Sequence, residues 1–254
     1  MDRRSTRIQI DGPKGQLAAI LDEPNSQPKS FGIFSHCFSC TKDLKAIVKT
    51  SRMLASRGYA VLRFDFAGLG NSEGNFSDTS FLDNLEDIRS VVSFMEQEFE
   101  PPKFLIGHSL GGSAMLATGM EFESVEAISV IASPSDTSHL ANTIHRLNPN
   151  VETSGEGMVN TGLYEYLIRK PTVDALRSYD LRAKLSVLTK RVLAFHSPHD
   201  ATLGIEHANA IVDQTAGHAS LINLESANHL LTDNPKDCEL IGSVLSSWLD
   251  RYLS

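Results

Sequence analysis

The chain has 254 residues, enough for one large α/β domain and generous for two small ones, so a single domain over residues 1–254 is expected. Hydrophobic residues make up 41% and charged residues 21%, which supplies a sizeable core without extra staples. Lys and Arg number 23 against 31 Asp and Glu, a formal charge of −8, and this balance argues against nucleic acid as a partner.

Apolar runs of strand length alternate with longer stretches of helical period, the pattern of βα units around a mainly parallel sheet. In chain order, strands are expected at Arg7 to Ile10, Leu17 to Leu21, Phe31 to Ser35, Ala60 to Phe66, Phe104 to Gly107, Ala127 to Ala132, Val192 to His196 and Leu221 to Leu224. Helices are expected near Leu44 to Arg57, Phe81 to Glu98, Leu110 to Gly119, Ile205 to Gln214 and Lys236 to Tyr252. Asp11-Gly12-Pro13-Lys14-Gly15 is turn chemistry and predicts an antiparallel hairpin at one sheet edge. The rhythm breaks over residues 134–190, where no strand falls at the expected distance. This segment reads as a cap inserted after the sixth strand, with Leu140, Ile144, Leu147, Met158, Leu163, Tyr164 and Leu167 as candidate pocket walls or ordinary packing residues.

The first 15 residues carry basic side chains but no apolar run, and no stretch of the chain is long enough to span a bilayer, so no membrane association is expected. Three cysteines are an odd number. A disulfide framework is not expected, and the cytoplasm is the expected compartment.

Phe104-Leu105-Ile106-Gly107-His108-Ser109-Leu110-Gly111-Gly112 is an apolar strand running into G-x-S-x-G and then into a helix rich in small residues. It resembles the nucleophile elbow of the α/β-hydrolase fold, in which a strained turn exposes the serine and glycines let helix and strand approach. The resemblance implies a mostly parallel eight-stranded sheet flanked by helices, with Ser109 as nucleophile. A serine hydroxyl needs a base within hydrogen-bond reach and a carboxylate to orient that base. The fold supplies them in the order Ser, acid, His, which points to Asp200, about 90 residues after Ser109, and His229, about 30 further on. Asp136, after the preceding strand, is the rival acid.

Of the nine histidines, His108 lies inside the elbow, His196 and His199 precede the acid, and His139, His145, His207 and His218 sit in the cap or on helices and turns. His36 opens His36-Cys37-Phe38-Ser39-Cys40, the position from which this fold draws its second oxyanion donor. The backbone N–H groups of Phe38 and Leu110 are therefore the expected hole, with Cys37 as the other candidate donor. Cys37 and Cys40 form a C-x-x-C that reads as a pair of small buried residues or as a redox pair; no second C-x-x-C accompanies it, and Cys238 reads as structural. Gly68, Gly70 and Gly74 lack the Lys and helix opening of a phosphate loop and are expected to shape a turn below the site.

The segments His36 to Asp43 and Leu62 to Gly74, together with the elbow, resemble the hydrolase half of bacterial bifunctional α/β-hydrolase/OsmC-like proteins, and more distantly the feruloyl and cinnamoyl esterases, which carry Gly where Cys37 stands. The likeness implies hydrolysis of a small-molecule carboxylic ester, of a short to medium acyl chain or a small aromatic acid, through an acyl-enzyme, with no cofactor and no metal. Thioesterase, peptidase, acyltransferase and perhydrolase chemistry would use the same residues. From other classes, a thiol-redox protein using Cys37 and Cys40 and a non-catalytic ligand-binding protein of this fold stay open.

Overall fold

Strands β1 (Arg3–Gly12) and β2 (Gly15–Pro24) form the expected antiparallel hairpin, with Gly12 paired to Gly15 across the turn. They belong to a computed structural model that describes residues 3–162 and 164–253. The succeeding elements are β3 (Ser30–Ser35), α1 (Lys45–Ser56), β4 (Tyr59–Phe64), a short 3₁₀ turn (Phe76–Asp78), α2 (Phe81–Glu98), β5 (Phe104–His108), α3 (Leu110–Thr118) and β6 (Ala127–Ile131). Next come α4 (Ser138–Leu147), α5 (Asn150–Thr153), β7 (Glu156–Asn160), β8 (Glu165–Arg169), α6 (Lys170–Ser178) and α7 (Leu181–Ser186). The chain closes with β9 (Arg191–His196), α8 (Glu206–Gln214), β10 (Ala219–Asn223) and α9 (Pro235–Tyr252).

Eight strands form one sheet in the order β1-β2-β4-β3-β5-β6-β9-β10. Pairing is antiparallel from β1 to β2 and from β2 to β4, and parallel across the rest. Every residue of β3, β4, β5 and β6 is buried, which is why these strands read as unbroken apolar runs: helices cover both faces. Side chains alternate between the faces. Ile33, Leu62 and Leu105 pack with Ile88 of α2 and Met115 of α3, whereas Phe34, Val61 and Ile106 pack with Ile47 of α1 and Leu245 of α9.

A βα connection turns the chain at the carboxyl end of each parallel strand, so the loops after β3, β5, β9 and β10 gather along one edge of the sheet. The segment between β6 and β9 lies over that edge. The sequence predicts no strand there, but β7 and β8 pair as a separate antiparallel hairpin. Only Val159 on β7 and Ile168 on β8 are buried, so the pair carries too little apolar alternation to be read in advance. Ala141, Ile144, Val151, Val159 and Ile168 join the same cluster as one face of the sheet. Thr172 Oγ1 also donates to the Thr79 carbonyl at 2.8 Å, tying α6 to the loop before α2.

Candidate active site

Ser109 caps α3 with φ 52° and ψ −125°, a conformation costly for a residue with a Cβ and held here by its surroundings. Its N–H donates to the Ile131 carbonyl at 2.9 Å. A Cβ on Gly107 would collide with the backbone of Gly112, and one on Gly112 with the Ser133 side chain. Only glycine lets β5 and α3 approach this closely, and the serine projects from the turn between them.

Asp200 stands in the loop after β9 and His229 in the loop after β10. His229 Nδ1 donates to Asp200 Oδ2 at 2.7 Å. That bond places the imidazole proton on Nδ1 and leaves Nε2 to accept from Ser109 Oγ at 3.0 Å. The Asp200 side chain is 1% exposed, and its Oδ1 accepts from the N–H groups of Thr202 and Leu203 at 2.8 and 3.0 Å. Burial pushes this carboxyl up, but the hydrogen bond and charge of His229 and the two N–H groups outweigh it and hold the group below its ordinary value. Asp136, the rival acid, is engaged elsewhere, where its Oδ1 accepts from Ser138 N–H at 2.7 Å at the start of α4.

The turn from His36 to Lys42 follows β3. Phe38 lines the same cavity as Ser109 and His229, and among the described residues its N–H donates to no protein acceptor. Leu110 opens α3, so its N–H is one of those a helix start leaves without an intrahelical partner. Cys37 and Cys40 are both buried, as the packing reading expects, but they are also joined in a disulfide. The turn brings their Cα atoms to 5.2 Å, with Cys40 N–H donating to the Cys37 carbonyl at 3.2 Å. Cys238 is buried and free.

The cavity beside Ser109 measures about 190 Å³. Leu140, Ile144 and Leu147 of α4 line it as expected, joined by Phe38, Val159 and Leu230 and by the hydroxyls of Thr143, Thr161 and Thr202. Met158 and Tyr164, also expected as walls, are 47% and 58% exposed, Leu167 does not line the cavity, and Leu163 lies outside the described residues. The neighbouring position Val159 carries the contact because alternate residues of β7 face opposite sides. A larger open cleft of about 550 Å³ runs along α1 past Arg3, Lys45 and Arg52, but it holds none of the groups described above. Among the described residues no cluster of His, Cys, Asp and Glu is arranged to hold a metal, and no helix is long and apolar enough to cross a membrane.

Several of the other histidines fall into structural places. His36 Nε2 accepts from Phe66 N–H at 3.1 Å, His196 donates to the Leu203 carbonyl at 2.9 Å, and His139 and His207 stack edge to face. His108 has a role that its position inside the elbow hid: it binds the His229 backbone.

Known proteins share this architecture. A family profile described as "Serine aminopeptidase, S33" matches residues 41–153. The esterase domain of a Rhodothermus marinus protein is 37% identical, with 99% of this chain and 100% of that one covered and a TM-score of 0.81. Est1E from Butyrivibrio proteoclasticus, solved with ferulic acid bound, has the same fold at 22% identity, covering 97% and 99% of the two chains with a TM-score of 0.85. The mitochondrial palmitoyl-protein thioesterase ABHD10 of Rattus norvegicus is 37% identical over 93 residues, 36% of this chain and 30% of that protein. The matched segment thus spans less than a third of that curated relative.

This chain belongs to the α/β-hydrolase superfamily. Within it, the chain is similar over its whole length to an esterase domain.

Proposed function

We propose that the protein cleaves carboxylic esters of short to medium acyl chains or small aromatic acids through an acyl-enzyme on Ser109. His229 takes the Ser109 proton as Oγ attacks the carbonyl and returns it to the leaving alcohol; water then repeats the sequence on the acyl-enzyme. Asp200 orients His229 and stabilises the imidazolium, and the N–H groups of Phe38 and Leu110 receive the oxyanion. The observation that carries this reading is the continuous hydrogen-bonded chain from Asp200 through His229 to Ser109 at the wall of an apolar cavity.

The cavity favours an acyl group over a peptide. Among the described residues its lining contains no carboxylate, whereas an aminopeptidase has a substrate ammonium to hold. Thioester cleavage is the second reading, favoured by the likeness to a palmitoyl-protein thioesterase. The apolar cavity of about 190 Å³ suits a short to medium acyl chain. We also propose a cytoplasmic setting from the odd cysteine count, and the Cys37–Cys40 disulfide counts against it.

The test is a panel of p-nitrophenyl esters of rising chain length, with a feruloyl ester and an acyl thioester beside it, on the parent protein and on Ser109→Ala. Activity peaking at medium chains and a kcat loss of about 10⁶-fold in the variant are expected. Fluorophosphonate labelling of the parent alone is expected as well. Retention of most esterase activity by the variant overturns the assignment.

A further inference from the structure

Beyond the triad, a group of buried polar side chains surrounds Lys42, at the downstream end of the turn that carries Phe38. Lys42 is 3% exposed and Asp65 fully buried. The Lys42 ammonium donates to Asp65 Oδ2 at 2.7 Å, to Asn71 Oδ1 at 3.0 Å and to Asp43 Oδ2 at 3.3 Å. Its backbone N–H donates to Asp65 Oδ1 at 2.6 Å, and its carbonyl accepts from Arg63 Nη1 at 2.9 Å. Arg63 is itself fixed by Asp22 Oδ2 at 2.8 Å. The Lys42 carbonyl is therefore tied through Arg63 of β4 and Asp22 of β2 to the sheet, and its N–H and ammonium to Asp65, the residue that follows β4.

Asp65 is engaged as fully. Its Oδ2 also accepts from Asn71 N–H at 2.9 Å, because Gly70, at φ +56°, brings the backbone to where a Cβ would collide with the carboxylate.

The upstream end of the turn is held by the next residue along. His36 Nε2 accepts from Phe66 N–H, so its proton is on Nδ1, which donates to the Cys37 carbonyl at 2.7 Å. In a trans peptide the carbonyl and the following N–H point in opposite directions. Pinning the Cys37 carbonyl toward His36 turns the Phe38 N–H away from it, and that N–H is left without a protein acceptor among the described residues. The turn is thus clamped at both ends to adjacent residues, Phe66 and Asp65.

A buried ion pair adds little net stability compared with apolar side chains of similar volume, so stability alone does not account for this one. We propose that the buried Lys42–Asp65 pair is the positioning element of the oxyanion turn, presetting the Phe38 N–H for the charge that develops when Ser109 attacks. The inference rests on the reading of Ser109 given above. The pair touches no substrate and acts through the backbone between residues 38 and 42.

The experiment compares Lys42→Met, the charge-neutral double variant Lys42→Met/Asp65→Asn and the milder Asn71→Ala, which alters an exposed residue, after circular dichroism has established folding. Steady-state kinetics on p-nitrophenyl butyrate are paired with inhibition by an alkyl trifluoromethyl ketone and by the matching methyl ketone. The fluorinated ketone adds Ser109 Oγ to its carbonyl carbon while the serine proton passes to His229, leaving a hemiketal oxyanion in the hole. The methyl ketone binds without that charge.

Lys42→Met is expected to lower kcat about 10- to 100-fold with KM within about twofold, and to weaken the fluorinated ketone by the same factor while sparing the methyl ketone. The double variant is expected to follow it, and Asn71→Ala to show a smaller loss in the same sense; should Lys42→Met not fold, these two decide. Folded variants with parental kcat, or a kcat loss without the matching loss of fluorinated-ketone affinity, overturn the proposal. A parent protein that neither cleaves the ester nor binds the fluorinated ketone overturns the Ser109 reading, and the positioning role falls with it.

Discussion

His108 donates from Nε2 to the backbone carbonyl of His229 at 2.7 Å, so the residue before the proposed nucleophile holds the peptide of the proposed base. Burial, with the His229 charge beside it, pushes the His108 imidazole down to about 3, and the ring is neutral wherever the enzyme would work. Replacing His108 by Phe removes the anchor and is expected to lower kcat about tenfold through misplacement of His229. A group titrating near 3 contributes nothing to the neutral pH–rate profile, so the midpoint of that profile is expected to stay in place. Measuring kcat/KM from about pH 5 to 9 checks this, and a displaced midpoint counts against the neutral ring.

The two candidate acids separate cleanly. Asp200→Asn is expected to reduce kcat about 10⁴-fold, because an amide in that place stabilises the wrong imidazole tautomer. Asp136→Asn leaves the triad untouched and keeps an acceptor for Ser138 N–H, so its kcat is expected within about twofold of the parent. Asp136→Ala removes that acceptor and is expected to cost about 1 kcal/mol in urea denaturation, as lost helix-start bonds do. A kcat loss in Asp136→Asn matching that of Asp200→Asn would reassign the acid.

The disulfide between Cys37 and Cys40 spans a turn whose two ends are already fastened, by His36 at one side and Lys42 at the other. Replacing both cysteines by Ala is therefore expected to leave kcat/KM for a p-nitrophenyl ester within about tenfold of the parent. Assays with and without dithiothreitol on the parent should agree to the same degree. Loss of all activity in the double variant favours the thiol-redox reading over the esterase.

Asp87, on α2, is 1% exposed; its Oδ2 accepts from Ala67 N–H at 2.8 Å, and its Oδ1 is buried without a partner. Burial, aided by the nearby Asp83 and Glu86, pushes its carboxyl from 3.8 up to about 7, against the pull of the Ala67 N–H. The folded protein therefore holds this proton more tightly than the unfolded chain. Its contribution to stability is fully present below about 3.8 and is lost as pH rises through about 7. Asp87→Asn keeps the acceptor and removes the ionisation. Compared with the parent by urea denaturation, it is expected to be nearly equal in stability around pH 4 and more stable at pH 8, by an amount on the order of 3 to 4 kcal/mol. A stability difference that does not change with pH would contradict the assignment.

The eight main strands and the helix Phe81–Glu98 are legible in the sequence because their burial follows simple rules. Strands covered on both faces are continuously apolar, and the helix carries its apolar residues at helical spacing. Ser109, Asp200 and His229 are readable as candidates because chain order and loop position constrain them, and the structure brings the three within hydrogen-bond distance. The hairpin β7–β8 is not readable, since each strand buries one residue. Nor is the partnership of Lys42 with Asp65, which are 23 residues apart in sequence and meet only once the sheet exists. The same holds for His108 and His229, 121 residues apart.

The outer strand β1 carries a consequence for the molecule in a crowded solution. Among the described residues β1 pairs with β2 on one side only, and Arg3, Arg4 and Arg7 on it are exposed. A second copy adding its own first strand there in an antiparallel register centred on Ser5 would set Arg3 against Arg7, where like charges repel, while Arg4 is already paired with Glu23 at 2.9 Å. The open rim of the sheet is thereby guarded against edge-to-edge growth into aggregates, by residues remote from Ser109.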